Sequence, residues 1–148
     1  MSTQQQARRQ GSGRVEASPG LDPKVRELAN GPNFAAVSTL LPSGAIQTQP
    51  IWVTADDDFV YLNTEVHRLK FRNVERDPRI TVMIWERDNP YKYVEVRGRV
   101  VETVRGDAAR RMIDELSQKY NGRPYPPEAI QSERVILKIE ADQQRVAA

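Results

Sequence analysis

The stretch that decides the fold is residues 34–54, which read FAAVSTLLPSGAIQTQPIWVT. Its first part, residues 34–41, is small or apolar on both faces, as in a strand buried on both sides. The Pro-Ser-Gly sequence at 42–44 supplies turn chemistry, and a second extended run covers 45–54. The sequence therefore predicts an antiparallel hairpin. Pro50 has no amide to donate to a strand ladder, so the second strand should lie at a sheet edge or bulge there.

Four further segments beyond the hairpin have the pattern of β-strands. In two of them apolar residues alternate with polar ones, as in strands with one buried face. One segment is long enough to pair with two neighbours and contains Gly98, where it can bend. Long coiling strands are typical of barrels, so we predict a mainly β, antiparallel barrel of six strands. The four segments are residues 59–63, 79–86, 91–104 and 135–140.

Two or three helices complete the predicted architecture. Asp22 followed by Pro23 begins the first, because the Asp side chain can cap free amides and proline suits a first helical turn. A short second helix should occupy residues 67–77 and end before Pro78, because proline disfavours helical geometry in the residue that precedes it. The clearest helix covers 107–121, where apolar residues repeat with the helical period.

The length of 148 residues suits one folded domain. Residues 1–20 are rich in Gln, Ser, Gly and Arg and almost lack apolar side chains, so we predict a disordered N-terminal tail. Residues 21–148 then form the folded domain. The tail lacks the apolar stretch of a secretory signal, and no apolar run is long enough to cross a bilayer. We therefore expect a cytoplasmic protein with no membrane partner.

The composition argues against several kinds of chemistry. The chain has no cysteine and one histidine, His67, which disfavours disulfides, thiolate or His-rich metal sites and a conventional Ser-His-Asp triad. The acids at 56–58 are consecutive in a turn, so a solvated hairpin tip is expected rather than a metal site. We predict no metal and assign no catalytic residue. The net charge is only +2, with cations interleaved with acids, so no nucleic-acid partner is predicted.

The strongest chemical signal is the basic segment, residues 63–73, which reads NTEVHRLKFRN. It places Arg68, Lys70 and Arg72 at alternating positions where the second helix opens. A helix N-terminus offers unpaired amides and a positive dipole end, and nearby cations add charge-assisted hydrogen bonds to phosphate. Taken alone, these residues leave two interpretations open. They form either an anion-binding site or a solvated basic face balanced by acids such as Glu65.

A set of motifs in a fixed order bears on this choice, and it covers nearly everything after residue 21. The order resembles that of the pyridoxamine 5'-phosphate oxidase-like split β-barrel family, and specifically its actinobacterial branch of deazaflavin-dependent oxidoreductases. The most specific motif is R-x-K-x-R-N at 68–73, followed by DP at 77–78. The other motifs are FAAVSTL at 34–40, PSG at 42–44, QPIW at 49–52, NPY-x-Y at 89–93, and KY at 119–120 with G-x-PYP at 122–126.

The resemblance implies a split β-barrel that forms a homodimer with two cofactor sites at its interface. It implies that the basic motif binds the cofactor phosphate, that the QPIW strand lies along the ring system, and that two polar residues meet the ring and ribityl edge. Two tyrosines are expected to reach across the dimer interface. The phosphate is assigned to Arg68, Lys70 and Arg72, with Asn73 as a helper, and the ring system to Gln49, Pro50, Ile51 and Trp52. The ring and ribityl edge is assigned to Asn63 and Thr64, and the contact across the dimer interface to Tyr91 and Tyr93.

The function implied by the resemblance is hydride transfer from the reduced deazaflavin, coenzyme F420, to a small, electrophilic, unsaturated and planar substrate. Two alternatives remain open. One keeps the fold and the chemistry but uses FMN, because a phosphate clamp does not distinguish the two ribityl phosphates. The other is a non-catalytic protein that binds a flavin, a deazaflavin or haem. Oxidation of vitamin B6 is not expected, because no C-terminal segment matches the one that binds pyridoxal phosphate in the flavin enzymes.

Overall fold

The computed structural model describes residues 20–147, so the tail predicted for residues 1–20 lies, apart from Gly20, outside the described residues. The described chain is mainly β, as predicted, with seven strands and three α-helices. The helices are α1 (Pro23–Asn30), α2 (Leu69–Arg76) and α3 (Asp107–Asn121). The strands are β1 (Ala35–Leu40), β2 (Ile46–Ile51), β3 (Thr54–Ala55), β4 (Val60–Glu65), β5 (Arg79–Glu86), β6 (Asn89–Arg105) and β7 (Arg134–Ala147).

All strands belong to one antiparallel sheet in the order β2-β1-β5-β6-β7-β4-β3, which is the predicted split-barrel architecture. The number of strands is seven instead of six, because the run predicted for 45–54 divides. Strand β2 ends at Ile51, and Trp52 and Val53 leave the sheet before β3 pairs with β4. Pro50 lies on edge strand β2, where its missing amide breaks no ladder on the outer side.

Strands β6 and β7 are long, and they pair along most of their length. Their register shifts between Arg97 and Gly98, where the sequence predicts a bend. At Gly98 the backbones come so close that a Cβ atom would lie 1.9 Å from the Glu140 carbonyl oxygen. Strand β7 is also longer than the predicted segment 135–140, since its polar second half continues to Ala147.

The core lies between the curved sheet and the faces of α1 and α2. Asp22 caps α1 as predicted, because its Oδ1 accepts a hydrogen bond from the Lys24 amide at 2.8 Å. Phe71 and Val74 bury the inner face of α2, whereas Leu69 at the start of that helix is 37% exposed. None of the helices within residues 20–147 combines the length and the apolar character needed to cross a membrane.

Candidate functional site

A cleft of about 350 Å³ opens where β2 ends, β4 ends and α2 begins. This volume is within the range of small-molecule and cofactor sites. Its lining includes a group of apolar and aromatic side chains, called the aromatic wall, and three cations, called the basic wall. The lining residues are Phe34, Pro50, Ile51, Trp52, Asn63, Thr64, Arg68, Lys70, Ile113, Tyr125 and Arg134.

The structure brings together seven of the twelve residues predicted for the cofactor. They come from segments far apart in sequence, namely Pro50, Ile51, Trp52, Asn63, Thr64, Arg68 and Lys70. The cleft is not lined by Gln49, Arg72, Asn73, Tyr91 or Tyr93. The cleft therefore unites the core of the phosphate motif with the ring-side strand, and it leaves the two interface tyrosines elsewhere in the chain.

The aromatic wall is built around Trp52. Its ring is nearly parallel to that of Tyr120, with centroids 5.0 Å apart and an interplanar angle of 6°. Phe34 also stacks on Tyr120 at 5.5 Å, and Tyr125 meets Trp52 edge-on at 6.2 Å. Aromatic packing of this kind holds each ring in a fixed orientation. Trp52 thus presents a rigid, half-buried surface to the cleft.

Helix α3 fixes this wall through two polar side chains. The Tyr120 hydroxyl donates to the Asn33 carbonyl and accepts a hydrogen bond from the Val53 amide at 3.2 Å. The Lys119 ammonium donates to the carbonyls of Ala29 and Val53 at 2.8 and 2.6 Å, and burial lowers the pKa of Lys119 to about 8. These bonds satisfy the backbone at the point where the chain leaves the sheet after β2.

The basic wall contains a largely buried lysine that forms no ion pair within residues 20–147. Lys70, in the first turn of α2, is only 6% exposed, and no hydrogen-bond partner for its ammonium lies within residues 20–147. Burial, followed by the positive charges of Arg68 and Arg134, lowers the pKa of Lys70 to about 8. The hydroxyl of Thr64, 2% exposed, has no partner either. A cation and a hydroxyl held out of bulk water without partners are costly, and an anion in the cleft would give a partner to both.

The start of α2 adds to the positive potential of the cleft. Arg68 precedes the helix, and no side chain caps its first turn. The first amides of a helix lack intrahelical acceptors, and the helix dipole is positive at this end. Arg68 and Lys70 therefore add full charges to a backbone that already favours phosphate.

Sequence reasoning missed Arg134 and the role of Glu65. Arg134, at the start of β7, is 7% exposed and donates from Nε to Asn63 Oδ1 at 2.8 Å and from Nη1 to Glu65 Oε2 at 3.0 Å. Glu65 pairs with Arg134 across β4 and β7 and is completely buried. From the sequence, Glu65 is a balancing acid in one of the two open interpretations, the solvated face, and only the strand register shows that it pairs with Arg134.

Two predicted asparagines make contacts inside the protein. The Asn63 amide is used at both ends, since Nδ2 donates to the Ala109 carbonyl at 2.9 Å and Oδ1 accepts from Arg134. Asn73 is fully buried and donates to Thr39 Oγ1 and Gln47 Oε1, both at 3.1 Å. Asn63 thus orients a cation of the cleft, and Asn73 ties α2 to the β1–β2 hairpin.

The remaining predicted residues lie outside the cleft. Gln49 is on edge strand β2, and Arg72 is on the exposed side of α2. Tyr91 and Tyr93 are on β6, where Tyr91 is 85% exposed and Tyr93 is half-buried.

The fold is a split barrel whose cleft is lined by cations and by aromatic side chains. Comparison with known families agrees with this description. The model of the family described as Pyridoxamine 5'-phosphate oxidase matches residues 21–146, and the chain therefore belongs to that family. A search of curated proteins found no significant match.

Solved structures with the same fold include a protein named F420 Reductase. The two chains are 28% identical with a TM-score of 0.72, and the match covers 81% of this chain and 94% of the other. A conserved hypothetical protein, Rv2991 from Mycobacterium tuberculosis, is 22% identical with a TM-score of 0.67, covering 90% and 88% of the two chains. General Stress Protein 26 from Bacillus anthracis is 18% identical with a TM-score of 0.62, covering 84% and 91%. The last two similarities concern the fold alone.

Proposed function

We propose that the protein binds coenzyme F420 and uses its reduced form to transfer a hydride to a small, electrophilic, unsaturated and planar substrate. The observation that carries this proposal is the largely buried Lys70, which forms no ion pair within residues 20–147 and lines the same cleft as Trp52. The similarity to a structure named F420 Reductase favours the deazaflavin over other cofactors of the same shape.

The residues present fit such a cofactor. Arg68, Lys70 and the hydroxyl of Thr64 would hold the phosphate, because each can donate a hydrogen bond into the cleft and Thr64 has no other partner. Pro50, Ile51 and Trp52 would lie against the ring system. When bound, the reduced deazaflavin supplies the hydride, and the chain supplies binding, orientation and exclusion of water.

No side chain of the cleft is assigned as a proton donor. His67 is adjacent to the basic motif, but its Nδ1 lies 2.5 Å from Ser132 Oγ and the residue does not line the cleft. Solvent is the proposed proton source. The exposed Tyr91 suits the homodimer contact that we propose on the basis of the resemblance.

FMN is the second candidate, because the same cations would accept its phosphate and the same aromatic wall its ring. Titration of the purified protein with F420 and with FMN, followed by fluorescence and visible absorbance, separates the two. We expect micromolar or tighter binding of F420 and turnover with reducible, unsaturated compounds. Tight co-purified FMN would favour the second candidate, and binding of F420 without turnover on any substrate would favour a storage protein. Failure to bind either cofactor would exclude both candidates and the storage of F420.

Cofactor affinity should depend on pH through Lys70. The pKa of Lys70 in the free protein is lowered to about 8, so its side chain is positively charged below that pH and loses the charge above it. The affinity for the phosphate-bearing cofactor should therefore fall above pH 8, by at most about tenfold per pH unit. Dissociation constants measured between pH 7 and 9.5 test this. Lys70→Arg retains its charge over this range and should remove the pH dependence. An unchanged profile in that variant would show that another group titrates.

A further inference from the structure

Arg134 lies in the cleft with part of its guanidinium already committed. Nε is bound to Asn63 and Nη1 to Glu65, and the guanidinium carbon lies 5.3 Å from the centre of the Tyr125 ring. A guanidinium carries five N–H donors in one plane, so two such bonds fix the direction of the others. Nη2 has no partner within residues 20–147, and Arg134 is one of the residues that line the cleft.

Glu65 connects the arginines of the cleft to the chain that precedes β7. Its Oε1 accepts hydrogen bonds from the backbone amides of Gln131 and Ser132 at 2.8 and 2.7 Å. Its Oε2 accepts from Arg134 at 3.0 Å and from Arg68 at 3.4 Å. A fully buried carboxylate with this many donors is rigid, and it holds both arginines from the same oxygen.

The charges around the cleft do not balance. Arg68, Lys70 and Arg134 bring three positive charges, and the Lys70 ammonium is near enough to both arginines for their charges to act on it. Glu65, which pairs with both arginines, brings one negative charge. These four side chains therefore have a net charge of 3 − 1 = +2. A phosphate group, which carries up to about two negative charges, would neutralise it.

We propose that Arg134 is a third anion-binding group of the cleft and that Glu65 is the positioning residue that sets the direction of its guanidinium. This inference rests on the proposed function and deepens it. The anion is then held by cations from two places, the start of α2 and the start of β7. Arg134 lies far from the basic segment in sequence, and strand pairing with Glu65 brings it to the site.

The test uses two probes, inorganic phosphate and the intact cofactors, on the full-length chain. The variants are Glu65→Gln, Arg134→Met and the double variant. Glu128→Gln and Arg145→Met serve as matched controls, since both residues are exposed and lie outside the cleft. For each protein we would measure the rise in melting temperature with added phosphate and the dissociation constants for F420 and FMN.

Each single variant should weaken cofactor binding by about tenfold or more, the scale of a lost hydrogen bond to a charged group, and should abolish the stabilisation by phosphate. If Glu65 acts through Arg134, the double variant should be little weaker than Arg134→Met alone. Additive losses would show that Glu65 acts through another group, such as Arg68, and would overturn its role in positioning Arg134. Unchanged affinity in Arg134→Met would overturn the anion-binding role. Both controls should bind as the wild type does.

Arg134→Lys provides a second variant in case Glu65→Gln does not fold. It keeps the positive charge but loses the planar fork that Asn63 and Glu65 orient. Most of the affinity should be lost; wild-type affinity would overturn the proposal. The two probes also separate this inference from the proposed function. Phosphate stabilisation that depends on Arg134 and Glu65, with no binding of F420 or FMN, would support the anion site and exclude the proposed cofactors. Cofactor binding that is unchanged in the Arg134 and Glu65 variants would support the proposed cofactors and exclude the anion-binding roles of these two residues.

Discussion

Lys70→Met should weaken cofactor binding by about 1.5–3 kcal/mol, the usual contribution of a hydrogen bond to a charged group. The reason is that Lys70 is 6% exposed and has no hydrogen-bond partner within residues 20–147, so the ligand would supply its counter-charge. Dissociation constants should be measured for the intact cofactor and for its dephosphorylated analogue in both proteins. These four values form a cycle that isolates the phosphate contribution.

The same substitution should make the cofactor-free protein more stable. The pKa of Lys70 is lowered to about 8 from 10.5, so the charged form is less favourable in the folded state than in the unfolded one. Between these two values the unfolded chain binds more protons, and the free energy of unfolding of the wild type therefore rises with pH. Lys119, whose pKa is also lowered to about 8, adds to this slope of the free energy of unfolding against pH. Lys70→Met should remove part of this slope and raise the free energy of unfolding at pH 7.

Lys92→Met is the matched control, because Lys92 is exposed on β6 and forms only a long ion pair with Glu86 at 3.9 Å. It should change neither cofactor affinity nor the pH dependence of unfolding. If Lys70→Met weakens the intact cofactor and its dephosphorylated analogue equally, Lys70 does not bind the phosphate. The anion-binding interpretation of the basic segment would then be wrong at Lys70.

Local signals in the sequence were sufficient for most of the fold. Asp22 with Pro23 predicts the start of α1, and the Pro-Ser-Gly turn at 42–44 predicts the β1–β2 hairpin. The division of the second strand was not predicted, because the aromatic stack on Trp52 and the hydrogen bonds to Val53 come from α3, far along the chain. Tertiary contacts thus override a continuous extended pattern.

The candidate site was predictable only where its residues are neighbours in sequence. Arg68 and Lys70 belong to one short motif, and the structure places both in the cleft. Arg134 lies 64 positions beyond Lys70 (134 − 70) in a segment without any distinctive pattern, and it reaches the cleft because β7 pairs with β4. Asn73 shows that a polar residue inside the motif can also serve the fold, because it is buried and donates to Thr39 Oγ1.

Gly98→Ala should destabilise the protein by about 3 kcal/mol, the upper end of the usual cost of overpacking, and lower its melting temperature by roughly 10 °C. An added Cβ would lie 1.9 Å from the Glu140 carbonyl oxygen and 3.2 Å from the Ala141 Cα, and both atoms belong to the backbone of β7. Backbone in a paired strand cannot move aside as a flexible side chain can, so β6 and β7 would have to separate where their register shifts. Urea and thermal unfolding measure the effect.

Gly44→Ala is the control for Gly98→Ala, because Gly44 has a φ of 88° but open space around its Cβ position. Its cost should be only about 1 kcal/mol, the conformational penalty of a left-handed residue. Equal losses in the two variants would show that the β6–β7 contact is not tight. The cofactor affinity of the folded Gly98→Ala protein should remain unchanged, since Gly98 does not line the cleft. A fall in affinity would mean that the bend of β6 helps to place the start of β7, and with it Arg134.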